Sequence, residues 1–155
     1  MKHKLLVAVK GGKTSRRTIE YVAQMCAGNA PWCAGLVFLH VFVPIPPYVE
    51  GANPVAADKL AERTETQRTL AAKKMLADIK AFVIRAGVKP GLVATVLADR
   101  QGDMRKQILR VAAARGCDTI VVGRDNRSLL GEFLAGSVVE RMLWKPIGYT
   151  IWVVE

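Results

Sequence analysis

The chain has 155 residues, 51% hydrophobic and 23% charged, with a formal net charge of +10. That length suits one domain with a substantial core, and the composition excludes a disordered tail. No apolar run approaches the roughly 20 residues needed to span a bilayer, and the positive charge favours contact with anions.

The first apolar run, Leu5–Val9, follows basic residues. It is too short for the core of a signal peptide and no small-residue cleavage site follows it. Lys4–Val9 reads instead as a strand buried on both faces, in a cytoplasmic protein. GGKTS then turns the chain. Ile19, Val22, Ala23 and Cys26 recur at helical spacing, which predicts an amphipathic helix over residues 15–27. Thr14 or Ser15 caps it and Gly28-Asn29 ends it. Leu36–Val43 is the second strand, and His40 inside it reads as a hydrogen-bonded structural histidine. PIPPYVEGANP is read as loop, and the segment 44–56 as a lid or partner surface.

A long helix is expected from Ala57 to Ala86, ending at Gly87. Its first half, ADKLAERTETQR, is polar; its second carries Leu76, Ile79, Phe82 and Val83 toward a core. Val93–Ala98 is the third strand and DRQGD a turn. Asp103 caps a helix with apolar positions Met104, Ile108, Val111 and Ala112, which Gly116 ends. CDTIVVG holds the fourth strand. Ser137–Trp144 is the last helix, stopped by Lys145-Pro146, and Tyr149–Val154 is the fifth strand.

Buried strands alternating with helices predict a single α/β domain over residues 1–155, a doubly wound parallel sheet with right-handed crossovers. Such sheets bind ligands outside the carboxyl ends of their strands. The loops GGKTS and GRDNRSLLGEFLAGS line that crevice. The first is no P-loop: the pattern needs a glycine where Val7 stands inside the strand. Lys13 can still reach an anion as a point charge. The second is a phosphate-loop candidate, because Gly123 lets backbone approach closely and Gly136-Ser137 opens a helix. Ser137-Val-Val-Glu140 is equally a capping box, with the serine serving its own helix.

Cys26, Cys33 and Cys117 have no C-x-x-C spacing and read as free buried thiols, with any redox role left open. Two histidines and three cysteines without motif spacing leave no metal set. No paired carboxylates or base-activated nucleophile marks an acid–base site, so no enzyme is expected. Asp103 is read as a cap and Asp118 as a turn residue. The basic residues are scattered and not interleaved with aromatics, so nucleic acid and membrane are not expected partners.

The whole layout resembles the universal stress protein family. KLLVAVKGG resembles its opening strand and turn, and LHVFVPIPP its second strand and proline loop. DTIVVGRDNRSLLGEFLAGSVVERML resembles its nucleotide signature, Gly-x-x-Gly-x9-Gly-Ser/Thr. The resemblance implies a flavodoxin-like five-stranded sheet in order 3-2-1-4-5, with helices on both faces. It also implies a homodimer through the last strand, Tyr149–Val154, and a stress-response role. In one branch it implies bound ATP or a related adenine nucleotide; other branches lack nucleotide and act as dimeric stress-response factors, and the alternative for this chain is a dimeric protein-interaction module that has lost nucleotide binding.

Position by position, Gly123, Gly136 and Ser137 match the signature, and Val41 matches a position that packs against adenine. Two residues depart from it. Asn126 replaces the second glycine, and Lys10 replaces the acid that follows the first strand and contacts the adenosine end. Lysine has three donors and no acceptor. With Arg124, Arg127 and Lys13, Lys10 makes the crevice positive.

Overall fold

Leu5, Leu6 and Val7 are fully buried in β1 (His3–Ala8), the central strand of the sheet. The structure is a computed structural model, and it describes residues 1–28, 30–42, 54–99, 102–123 and 148–155. The other described elements are α1 (Gly12–Cys26), β2 (Cys33–Phe42), α2 (Pro54–Arg85), a one-turn 3-10 helix (Pro90–Leu92), β3 (Val93–Asp99), α3 (Met104–Ala114), β4 (Thr119–Gly123) and β5 (Thr150–Val154). The expected last helix, Ser137–Trp144, lies outside the described residues. The five strands are all parallel in the order β3-β2-β1-β4-β5. This is the flavodoxin-like, doubly wound α/β sheet that the sequence predicts.

The strands alternate between two cores, because successive side chains point to opposite faces. Leu5, Val7, Leu36, Phe38 and Val121 join Ile19, Val22 and Ala23 of α1 and Leu76, Ile79 and Val83 of α2 on one face. Leu6, Val37, Leu39, Ile120 and Val122 join Ile108, Val111 and Ala112 of α3 on the other. Helices therefore cover both faces, as predicted. β1 and β2 each read as an unbroken apolar run because both of their faces are covered.

Several local expectations are corrected. α1 starts at Gly12, ahead of the expected residue 15. Gly11 holds its N-cap position and no side chain closes the cap, so neither Thr14 nor Ser15 is the capping residue. Ser15 Oγ lies inside the first turn and accepts bonds from the backbone N–H groups of Lys10 and Gly11, each at 3.1 Å. The hydroxyl binds backwards into the loop, a common alternative to capping for serine. β2 begins at Cys33, upstream of the expected Leu36, because Cys33 is the register partner of His3. Residues 54–56, assigned to the loop, open α2, with Pro54 as its first residue. A first-turn proline loses no helical hydrogen bond, since its missing N–H would have no partner there. The rest of that loop, 44–53, lies outside the described residues.

α2 buries Ala72, Leu76, Ile79 and Val83, whereas Phe82 is 37% exposed and does not enter the core as expected. The stripe at 72, 76, 79 and 83 follows helical spacing and leaves position 82 on its flank. Gly87 ends the helix at φ +103, a conformation that favours glycine. Asp103 caps α3 as predicted, its carboxylate accepting from the Arg105 N–H at 2.8 Å. Cys26, Cys33 and Cys117 are all buried free thiols.

Candidate functional site

The carboxyl ends of β1, β2 and β4 lie side by side. Ala8 is the register partner of both Leu39 and Val122. Lys10 follows β1 by two residues, Val41 lies two past Leu39, and Gly123 is the next residue after Val122. Neighbouring strands are about 4.8 Å apart, so these three candidate residues converge on one edge of the sheet. Asn126, Gly136 and Ser137 lie outside the described residues, as do Arg124 and Arg127.

The loop after β1 is held from three directions. Ser15 Oγ accepts from Lys10 and Gly11 at its base. Val9 N–H donates to the Leu39 carbonyl at 2.9 Å. His40 Nδ1 lies 2.9 Å from the Val9 carbonyl oxygen, so His40 has the structural role expected of it. Gly11 has φ 89 and ψ 172, a region open in practice only to glycine. A Cβ there would lie 3.5 Å from the Met75 sulfur of α2. The loop thus passes close beneath α2 and leaves Lys10 exposed. Lys10 brings a cation and three donors to the mouth of the crevice, and no acceptor.

Val41 is half-buried and packs with the core on the α3 face. Phe42, the last residue of β2, is 4% exposed. It faces the opposite way, where the Arg68 guanidinium of α2 stacks on its ring at 4.9 Å from the centroid. Arg68 Nη1 is buried and, among the described residues, has no hydrogen-bond partner. Sequence reasoning missed this arginine. Its signal was helical spacing: Arg68 precedes Ala72 and Leu76 by steps of four, on the stripe that faces the sheet.

Among the described residues, a cavity of about 470 Å³ lies away from this loop, lined by Tyr21, Trp152, Val153, Val154 and Glu155. It flanks β5, which is an edge strand of the sheet. Trp152 meets Tyr21 edge-on at 6.4 Å and Trp32 at 5.9 Å. Among the described residues no three His, Cys, Asp or Glu side chains are placed to hold a metal ion. Among them, too, no helix is long and apolar enough to cross a membrane.

Residues 1–146 match the model of the universal stress protein family. The chain belongs to that family. No curated protein matches it. Among solved universal stress proteins, UspA from Lactobacillus plantarum is similar in fold, with 16% identity and a TM-score of 0.72 over 99% of this chain and 97% of that one. A universal stress protein in complex with cAMP gives 16% identity and a TM-score of 0.67, covering 99% of this chain and 97% of that one. The Archaeoglobus fulgidus universal stress protein in complex with dAMP gives 16% identity and a TM-score of 0.64, covering 99% and 98%. At these identities the likeness is one of fold.

Proposed function

We propose that this universal stress protein is a cytoplasmic regulatory domain that binds ATP or a related adenine nucleotide at the carboxyl edge of its sheet, without turning it over. The observation that carries this reading is the convergence of Lys10, Val41 and Gly123 on that edge, beside a loop fixed by Ser15 and His40. Gly136 and Ser137 complete the phosphate loop in this reading, and Asn126 stands in its second glycine position. The binding of cAMP and dAMP by two proteins of the same fold supports it. In the same reading the domain works as a stress-response homodimer joined through 149–154. The half-buried apolar residues Ile151, Trp152 and Val153 on an edge strand favour a covering partner there.

A second reading keeps the dimer as a protein-interaction module and drops the nucleotide. The exposed Lys10 favours it, because a donor-only side chain cannot accept from a ribose hydroxyl or the adenine amine.

Mass spectrometry of freshly purified protein, native and then denatured, separates the two. An adenine-nucleotide mass released from a dimer supports the sensor. An empty dimer that also gives no heat when titrated with millimolar ATP overturns it in favour of the module. A monomer at micromolar concentration overturns the interface at 149–154.

A further inference from the structure

Arg68 occupies a position built for an apolar side chain. The core-facing stripe of α2 runs through Val83, Ile79, Leu76 and Ala72, and one more helical turn toward the N-terminus reaches residue 68. α2 returns antiparallel to β2, so this end of the helix reaches beyond the carboxyl edge of the sheet. Met75, whose sulfur lies against the Gly11 position, marks where α2 crosses the crevice loop. Arg68 stands two turns, about 10 Å, farther out along the same face.

One face of the guanidinium is fixed by Phe42. Its Nη1 is shielded from solvent and, among the described residues, unpaired. A buried cationic donor left without an acceptor is costly and is best compensated by an anion. Asp99 is the nearby candidate. It is the register partner of Phe42, yet it is exposed, and among the described residues it forms no ion pair with Arg68. A planar guanidinium held against an aromatic ring and offering N–H groups matches phosphate oxygens in geometry and charge.

We infer that Arg68 is a phosphate-contacting residue on the rim of the crevice, approaching the ligand from α2 while Lys10 approaches from β1. The inference rests on the nucleotide reading above and adds to it a residue outside both loops. It accounts for the retention of a donor at a core-facing helical position.

Isothermal titration of the full chain with ATP, inorganic tripolyphosphate and adenosine tests it, using wild type, Arg68→Gln, Arg68→Met, Arg68→Lys and Asp99→Asn. Arg68→Met keeps an unbranched chain on Phe42, so melting curves that match wild type show the fold is intact. The expected result is a loss of about tenfold or more for ATP and tripolyphosphate in Arg68→Gln and Arg68→Met. Adenosine should be unchanged, Arg68→Lys intermediate, and Asp99→Asn like wild type. ATP affinity within twofold of wild type in both neutral variants overturns the inference and leaves the nucleotide reading standing. So does an equal loss for adenosine, or an Asp99→Asn variant that copies Arg68→Gln. Wild-type protein that binds neither ATP nor tripolyphosphate overturns the nucleotide reading and this inference with it.

Discussion

His40 ties the carboxyl ends of β1 and β2 together through the Val9 carbonyl, 2.9 Å from its Nδ1. A carbonyl oxygen only accepts, so Nδ1 carries the proton. The bond clamps the loop that presents Lys10. His40→Phe keeps an aromatic ring and deletes the donor. It should cost about 0.5–1.5 kcal/mol, read in urea denaturation as a lower midpoint with an unchanged slope.

Gly11→Ala should cost about 1–3 kcal/mol, from backbone strain. The added Cβ would meet the Met75 sulfur at 3.5 Å, an ordinary contact. Steric relief therefore should not help. The check is the double variant Gly11→Ala with Met75→Ala: it should recover none of the stability lost by Gly11→Ala alone.

Ser15→Ala removes the acceptor of two N–H groups in the same loop. Ser15 is 6% exposed, so water replaces the hydroxyl poorly. The expected loss is about 1–3 kcal/mol, with faster amide exchange at Lys10 and Gly11 than at Val7, measured by hydrogen exchange.

The buried thiols set a ceiling on alkaline stability. Burial pushes the Cys26 thiol far above its ordinary value, and the hydrogen bond and charge of neighbouring Cys33 push it further. Burial raises Cys117 too. The folded chain then keeps protons that the unfolded chain releases near 9.0. Below that pH the contribution to stability is complete; above it the unfolded state holds fewer protons and stability falls. Denaturation curves at pH 7.5 and 10 should show the fall, and Cys26→Ala should reduce it. Thiolate being the reactive form, Cys26 and Cys117 should react slowly with a disulfide reagent until the protein is unfolded, and Cys33 should be shielded by its burial.

Trp152→Ala should destabilise the edge of the sheet by about 3 kcal/mol, the lower end for a tryptophan truncation because its side chain is only partly buried. Tyr21 and Trp32 lose a shared neighbour, so the change should also appear as altered near-ultraviolet dichroism in the native baseline.

The fold was legible because its three central strands, β1, β2 and β4, are largely buried on both faces. Runs such as LLVAV and LVFLHVF have no amphipathic reading, and the helices between them announce themselves by Ile19, Val22 and Cys26 or Ile108, Val111 and Ala112. Element ends were less legible. Ser15 looked like a cap because its residue type favours that role, but its hydroxyl is taken by the loop behind it. Pro54 looked like a breaker because proline forbids a helix interior, though not a first turn. At the crevice, Gly123 was readable as the glycine closing a strand, and Lys10 and Val41 only through the family resemblance. Arg68 was not, because a single arginine on a helix reads as surface, and only the sheet order sets Phe42 beneath it.

The central position of β1 has a consequence for how the molecule assembles. β1 is made first, yet one of its two neighbours, β4, comes from the last third of the chain. Until then a strand of Leu5, Leu6 and Val7 has an open side, the kind of edge that recruits other chains. Pairings between distant segments are also slow to form. A growing chain therefore carries its most adhesive strand half-sheltered for most of its synthesis. Chaperone demand should be greatest in that interval and drop once residues 119–123 have emerged and seated against it.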